Sequence, residues 1–224
     1  MSHLKTYAAP KSWNILRKTH KWILRPQPGA HPLEITIPVG LLLREKDFGK
    51  TRREIKQILN DKAVTIDGKI VKDLHYGVGF MDVITVKPNT ILRCSIDQKG
   101  RLEFIEISKE EANKKLCKII GKKTARGNKI QYSLSDGRNI LAEKSQYKTG
   151  DALLIEVPSQ KILEHIPLEK GISVFLTGGS NIRTIGTIQE IKGNKITLTK
   201  DKETIESDKK FALAIGKEKP AIKL

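Results

Sequence analysis

The chain has 224 residues, with 42 lysines and arginines against 25 acids, a net charge of +17. At roughly 100–200 residues per domain this allows one or two ordinary domains, or three very small ones. A chain this basic needs a polyanionic partner, and nucleic acid is the commonest one. It has no apolar run of about 18 residues, no strongly amphipathic basic helix and no lipid signal, so no membrane partner is expected. The basic start lacks the apolar stretch of a secretory signal. Cys94 and Cys117 are too few for a disulfide scaffold and fit a reduced, cytoplasmic chain. His3, His20, His31, His75 and His165 are scattered, so no metal site is expected.

Residues 1–33 contain no acid and six cations: Lys5, Lys11, Arg17, Lys18, Lys21 and Arg25. Both tryptophans, Trp13 and Trp22, lie here, as do Pro10, Pro26, Pro28 and Pro32. The prolines bias the backbone to extended conformations. The composition predicts an arm that is disordered alone and orders on RNA, with cations on phosphates and tryptophans stacked on bases or on the neighbouring domain.

From Pro38 a short helix is predicted through Leu41–Leu43 and Arg44 to about Phe48. A second begins with Thr51 as N-cap and Glu54 three residues on, a capping box, and runs to about Asn60. Ile55, Ile58 and Leu59 recur at helical spacing and should face a core. Residues 63–71, AVTIDGKIV, read as a hairpin turning at Asp67-Gly68, with Lys69 beside the turn. GFMDVITV, residues 79–86, reads as a further strand. Strands punctuated by turns are expected over 90–107 and 130–157. Between them, Ser108 and Glu111 resemble another capping box and predict a helix to about Ile119. GKKTARG, residues 121–127, is expected to be a mobile basic loop carrying Lys122, Lys123 and Arg126. A last β unit is expected from Gly171, closing with a strand at about Ala212 to Ile215.

Two clusters point to RNA. The Thr51 helix begins at a positive dipole end, yet Lys50, Arg52 and Arg53 sit there, with Lys56 one turn on. Cations are disfavoured at that end, so an anionic phosphate partner is expected. The stretch 171–193, GISVFLTGGSNIRTIGTIQEIKG, is KOW-like, with glycines at tight turns and Arg183 at a loop. No phosphate loop of the P-loop or dinucleotide type occurs, and no nucleophile–base set has family-type local sequence. Asp67 and Asp82 read as turn hydrogen-bonders rather than general acids or bases. No catalytic residue, metal or cofactor is expected.

Several colinear stretches resemble one family, the archaeal and eukaryotic small-subunit ribosomal protein S-four-e. They are HLKTYAAPKSW (3–13), PGAHPLE (28–34), VTIDGKIV, GFMDVITV, EEANKKLCKI (110–119), SDGRNIL (135–141) and TGGSNI (177–182). The resemblance implies an α+β and all-β multi-domain chain: a basic arm over 1–33, an αL-type RNA-binding domain over 34–103, a central β domain over 104–170, and a KOW-type, SH3-like barrel over 171–224. It implies a structural, non-enzymatic protein of the cytoplasmic small ribosomal subunit. Its partners would be small-subunit ribosomal RNA and neighbouring ribosomal proteins, with no membrane and no homo-oligomer. The RNA-binding residues expected are the six arm cations, Trp13, Trp22, Arg44, Lys50, Arg52, Arg53, Lys56, Lys69, Lys122, Lys123, Arg126 and Arg183. In the family's 177–186 loop a glycine usually occupies the place of Arg183, and arginine that of Thr184. The alternatives left open are an RNA-modifying enzyme with an αL-type domain and a KOW-containing transcription factor.

Overall fold

The computed structural model describes residues 3–125, 127, 129–143, 146–200, 203–217 and 220–223. By contacts the chain divides into two units, Met1–Ser95 with Arg101–Asn113, and Ile96–Gly100 with Lys114–Leu224.

The first unit contains two short arm strands, β1 (Leu4–Lys5) and β2 (Trp22–Ile23), paired antiparallel with Lys5 opposite Trp22. Then come β3 (Thr36–Pro38), α1 (Val39–Glu45), α2 (Arg52–Asn60), β4 (Val64–Ile66), β5 (Lys69–Ile70), β6 (Gly77–Gly79), β7 (Val83–Val86), β8 (Thr90–Ile96) and β9 (Leu102–Glu106). The main sheet has the order β5-β4-β7-β8-β9, while β3 pairs β6 separately. The predicted hairpin turn is present: Asp67 and Gly68 both have left-handed φ, 49° and 74°. Asp67 Oδ1 also accepts the Val83 N–H at 2.9 Å, as expected for a turn carboxylate. GFMDVITV is two strands, not one, because the chain turns at Met81, whose φ is 68°.

The arm does not stand away from this unit. Trp13 is 2% exposed and Ala9 5%, both in one core with Ile37, Leu41–Leu43, Ile55, Leu59 and Ile84. The Trp13 indole N–H donates to the Thr36 carbonyl, and the Ser12 hydroxyl donates to that of Glu34. Arg17 donates to the carbonyls of Tyr7, Ala9 and Pro10. An arm without acids thus satisfies this guanidinium with its own backbone carbonyls. The expectation of an arm disordered in isolation is corrected: composition counts its few apolar residues, but two of them occupy the core.

The second unit contains β10 (Lys114–Thr124), β11 (Ile130–Leu134), β12 (Asn139–Ala142), β13 (Ala152–Glu156) and β14 (Ile162–Ile166), in the order β12-β11-β10-β13-β14. It continues with β15 (Ser173–Leu176), β16 (Ile185–Lys192), β17 (Lys195–Lys200), β18 (Glu203–Asp208) and β19 (Ala212–Gly216), ordered β18-β17-β16-β15-β19. A 3-10 turn, Lys209–Phe211, precedes β19.

The predicted helix over 108–119 is absent; turns lead into β10. Glu111 does not cap Ser108. Instead its carboxylate meets Arg93 Nη1 at 3.3 Å, and Arg93 is 1% exposed. The eleven residues of β10 serve two neighbours: Lys114–Lys118 pair with β13, and Ile119–Thr124 pair with β11 after a bulge. Lys115, 1% exposed, reaches Asp136 at 3.4 Å, and Arg138 reaches the same carboxylate at 3.2 Å. This buried triad holds a lysine inside a strand where the sequence predicts a helix. Burial pushes the neighbouring Cys117 thiol well up.

Candidate nucleic-acid interface

The capping box forms as predicted. The Glu54 N–H donates to Thr51 Oγ1 at 3.3 Å, and the Glu54 carboxylate accepts from the backbone N–H of Lys50 at 2.9 Å and of Thr51 at 3.4 Å. Those contacts, the Lys50 N–H foremost, hold the Glu54 carboxyl below the usual range. The helix end therefore already carries an anion, and the dipole alone is no argument for a phosphate. What remains is a row of exposed cations, Lys50, Arg52, Arg53 and Lys56.

Three adjoining cavities run past these cations within the first unit. One, of about 670 Å³, is lined by Arg52, Arg53, Lys56, Lys72, Asp73 and His75. The next, of about 840 Å³, lies between the arm and α1 and α2. Its walls include His3, Trp22, Arg25, Arg44, Arg52 and His75. The last, of about 660 Å³, includes Arg25, Gln27, His31 and His75. Arg52 and His75 are shared by the first two, and Arg25 and His75 by the last two, so they form one groove. Six arginines and lysines, Arg25, Arg44, Arg52, Arg53, Lys56 and Lys72, line its first two stretches beside only two acids, Glu45 and Asp73. Asp73 is already occupied, accepting from the His75 N–H at 2.9 Å and the Gln27 side chain at 2.8 Å.

Trp22, half exposed, presents its ring at this groove, 5.5 Å from the His3 ring, with the Lys21 ammonium 5.4 Å from its centroid. A flat aromatic face among cations is the combination that stacks unpaired bases. Sequence reasoning placed Trp22, Arg25, Arg44, Arg52, Arg53 and Lys56 here. It missed Lys72 and His75, which lie between β5 and β6, and His3 and His31 of the arm, none of which carries a local motif.

The other expected residues lie elsewhere. Trp13 is in the core with its N–H bonded, so it stacks on no base. Lys5 is exposed 5.7 Å from the Tyr7 ring, Lys11 and Lys18 are exposed, and Lys69 is exposed on β5. Lys122 and Lys123 are exposed on β10, not in a loop, with Lys122 opposite Tyr132 and Lys123 opposite Gln131. They therefore alternate between the two faces of the sheet. Arg126 lies outside the described residues. Arg183 has φ 65° and its guanidinium pairs with Asp97 at 3.2 Å. The left-handed backbone accounts for the glycine usual there in the family it resembles.

Residues 2–34 match the RS4NT domain, 41–84 the S4 domain and 89–162 the ribosomal family S4e. The small ribosomal subunit protein eS4 of Methanosphaera stadtmanae is 39% identical over 230 residues, covering 99% of this chain and 95% of that protein. The chain belongs to the eS4 family. The eS4 of Methanocaldococcus jannaschii is also 39% identical, over 238 residues, covering 99% of this chain and 97% of that protein. The crystal structure of the 30S ribosomal protein S4e from Thermoplasma acidophilum superposes with a TM-score of 0.71 at 32% identity. It covers 82% of this chain and 95% of that one. The RS4NT match spans the arm that packs on the first unit, and the S4 match spans α1, α2 and β4–β6.

Proposed function

We propose that this eS4-family chain is a structural constituent of the small ribosomal subunit that binds and stabilises its ribosomal RNA, without catalysis. The observation that carries this is the basic groove of the first unit, where Arg25, Arg44, Arg52, Arg53, Lys56 and Lys72 line one continuous depression beside the exposed Trp22. Cations at that density hold phosphates, and backbone contacts position the protein on a folded RNA. Lys5, Lys11, Lys18, Lys21, Lys50, Lys69, Lys122 and Lys123 supply a wider field of exposed charge that draws the polyanion in. Arg17 acts on the arm rather than on RNA, through its three carbonyl contacts.

The chain works as four parts, an arm, the S4 domain, a central β domain and a C-terminal KOW-type barrel. The strand order β18-β17-β16-β15-β19, with a 3-10 turn before the last strand, supports the barrel reading. Its place of action is the cytoplasmic ribosome, among neighbouring ribosomal proteins. Tagged full-length chain is expected to co-sediment with small subunits and to remain in the particle core after a moderate salt wash. Recovery only in the free pool, or with RNA polymerase, would overturn the proposal.

A further inference from the structure

The two arm strands form a ribbon with two unlike faces. Residues opposite each other in an antiparallel pair share a face, and successive residues alternate between faces. Leu4 lies opposite Ile23, and both pack on the core of the first unit. Lys5 lies opposite Trp22, and both are exposed on the other face, where the His3 ring also meets Trp22. The first 33 residues supply no carboxylate to neutralise these cations.

Tyr7 follows β1 directly and is 70% exposed. Its backbone is nevertheless fixed. On one side the buried Thr6 donates its N–H to the Lys21 carbonyl at 3.1 Å, and on the other the buried Ala9 donates to the Thr6 carbonyl at 3.3 Å. The Tyr7 carbonyl itself accepts from Arg17 at 3.3 Å. A ring held in water on an anchored backbone loses little further freedom when a ligand covers it. One exposed apolar side chain is ordinary; here two aromatic rings, Tyr7 and Trp22, share one lysine. Lys5 faces Trp22 across the strand pair, and its ammonium lies 5.7 Å from the Tyr7 ring centroid. The Lys21 ammonium lies 5.4 Å from that of Trp22. Atoms in contact stand about 3.5–4.0 Å apart, so neither ammonium caps its ring. Each ring has a stacking face with a cation at its margin.

We propose that this outward face of the arm is a two-base platform: two neighbouring unpaired nucleotides of the bound RNA stack on Trp22 and Tyr7, and the phosphate between them sits on the Lys5 ammonium. The inference rests on the RNA-binding reading of the groove and extends it to Tyr7, which lines none of the three cavities. Every base has a π-face, so recognition is tolerant of sequence. Bases within a duplex are stacked on one another, so the ligand is a single-stranded segment.

The test uses the full chain with octamers of uridylate and of adenylate, and a blunt RNA duplex, as probes. Trp13 is buried, so quenching by a stacked base reports Trp22. Both octamers are expected to quench tryptophan emission, and the duplex to bind without quenching. Tyr7→Leu should weaken octamer binding about tenfold, as for loss of one stacked base. It should leave the salt slope and the quench at saturation unchanged, because no charge is lost and Trp22 still stacks. Tyr7→Phe, which keeps the ring, should bind like the parent. Equal octamer affinity in Tyr7→Leu, equal loss in Tyr7→Phe, or a duplex that quenches as the octamers do would overturn the platform. Arg52→Ala/Arg53→Ala, assayed on ribosomal RNA, separates the two readings. If that variant binds more weakly while Tyr7→Leu has no effect on the octamers, only the platform falls; if the parent binds no RNA at all, the groove falls with it.

Discussion

The indole N–H of Trp13 donates to the backbone carbonyl of Thr36 at 2.7 Å. That bond ties the arm to the strand that leads into α1, and the ring beneath it is part of the core. Trp13→Ala leaves a cavity and an unpaired carbonyl, and should destabilise the first unit by about 3–5 kcal/mol. Limited trypsin digestion of the free protein is the readout. The parent should resist cleavage after Arg17, whose guanidinium is bonded to three carbonyls, while the variant should be cut there first.

Gly68→Val should lower the melting temperature by several degrees. Gly68 holds φ 74° in the two-residue turn after β4, and a β-branched residue resists that conformation by at least about 1–2 kcal/mol. An unchanged melt would mean the turn relaxes to another type without loss of pairing. Gly68→Asn, which tolerates left-handed backbone, should cost much less.

Lys118 gives a pH dependence with a defined sign. Its ammonium donates to the carbonyls of Lys209, Lys210 and Ala212 at 2.8, 2.9 and 2.7 Å. Burial, and then the nearby Lys209 charge, push it from 10.5 down to about 8. Between those values the unfolded chain binds more protons than the folded one, so stability should rise with pH across that window. Below pH 8 the buried charge weighs against the fold in full. Denaturation midpoints of the parent minus those of Lys118→Met, taken from pH 7 to 10, should climb through about pH 8–10; a flat difference would mean that the three carbonyls hold the lysine at its ordinary value.

Much of the first unit was legible because its signals are local. Thr51 and Glu54 satisfy each other within one helical turn, and Asp67-Gly68 sets its own backbone. Ser108 and Glu111 have the same spacing as Thr51 and Glu54, yet no helix forms, because Glu111 is drawn to the buried Arg93 and Lys115 to Asp136. Those partners lie 18 and 21 positions away in sequence, beyond any window of helical periodicity. The arm misleads for a related reason. Its lack of acids reads as disorder, whereas its order comes from Trp13 in a distant core and from carbonyls that accept from Arg17. In the groove, the cations of α2 stand out in sequence. Lys72, His75 and His31 do not, since only the folding of the segments around β6 brings them to the groove.

The central claim is that Arg52, Arg53 and Lys56 hold RNA phosphates at the groove, and its most direct test is the salt dependence of ribosomal RNA binding. Each phosphate contact contributes roughly 0.7–0.9 to the slope of log K against log salt. Replacing all three by alanine should reduce that slope by about 2, whereas replacing the exposed Lys192 and Lys195 of β16 and β17 should leave it nearly unchanged. Equal changes from both sets, or an unaltered slope in the triple variant, would contradict a localised phosphate site in this groove.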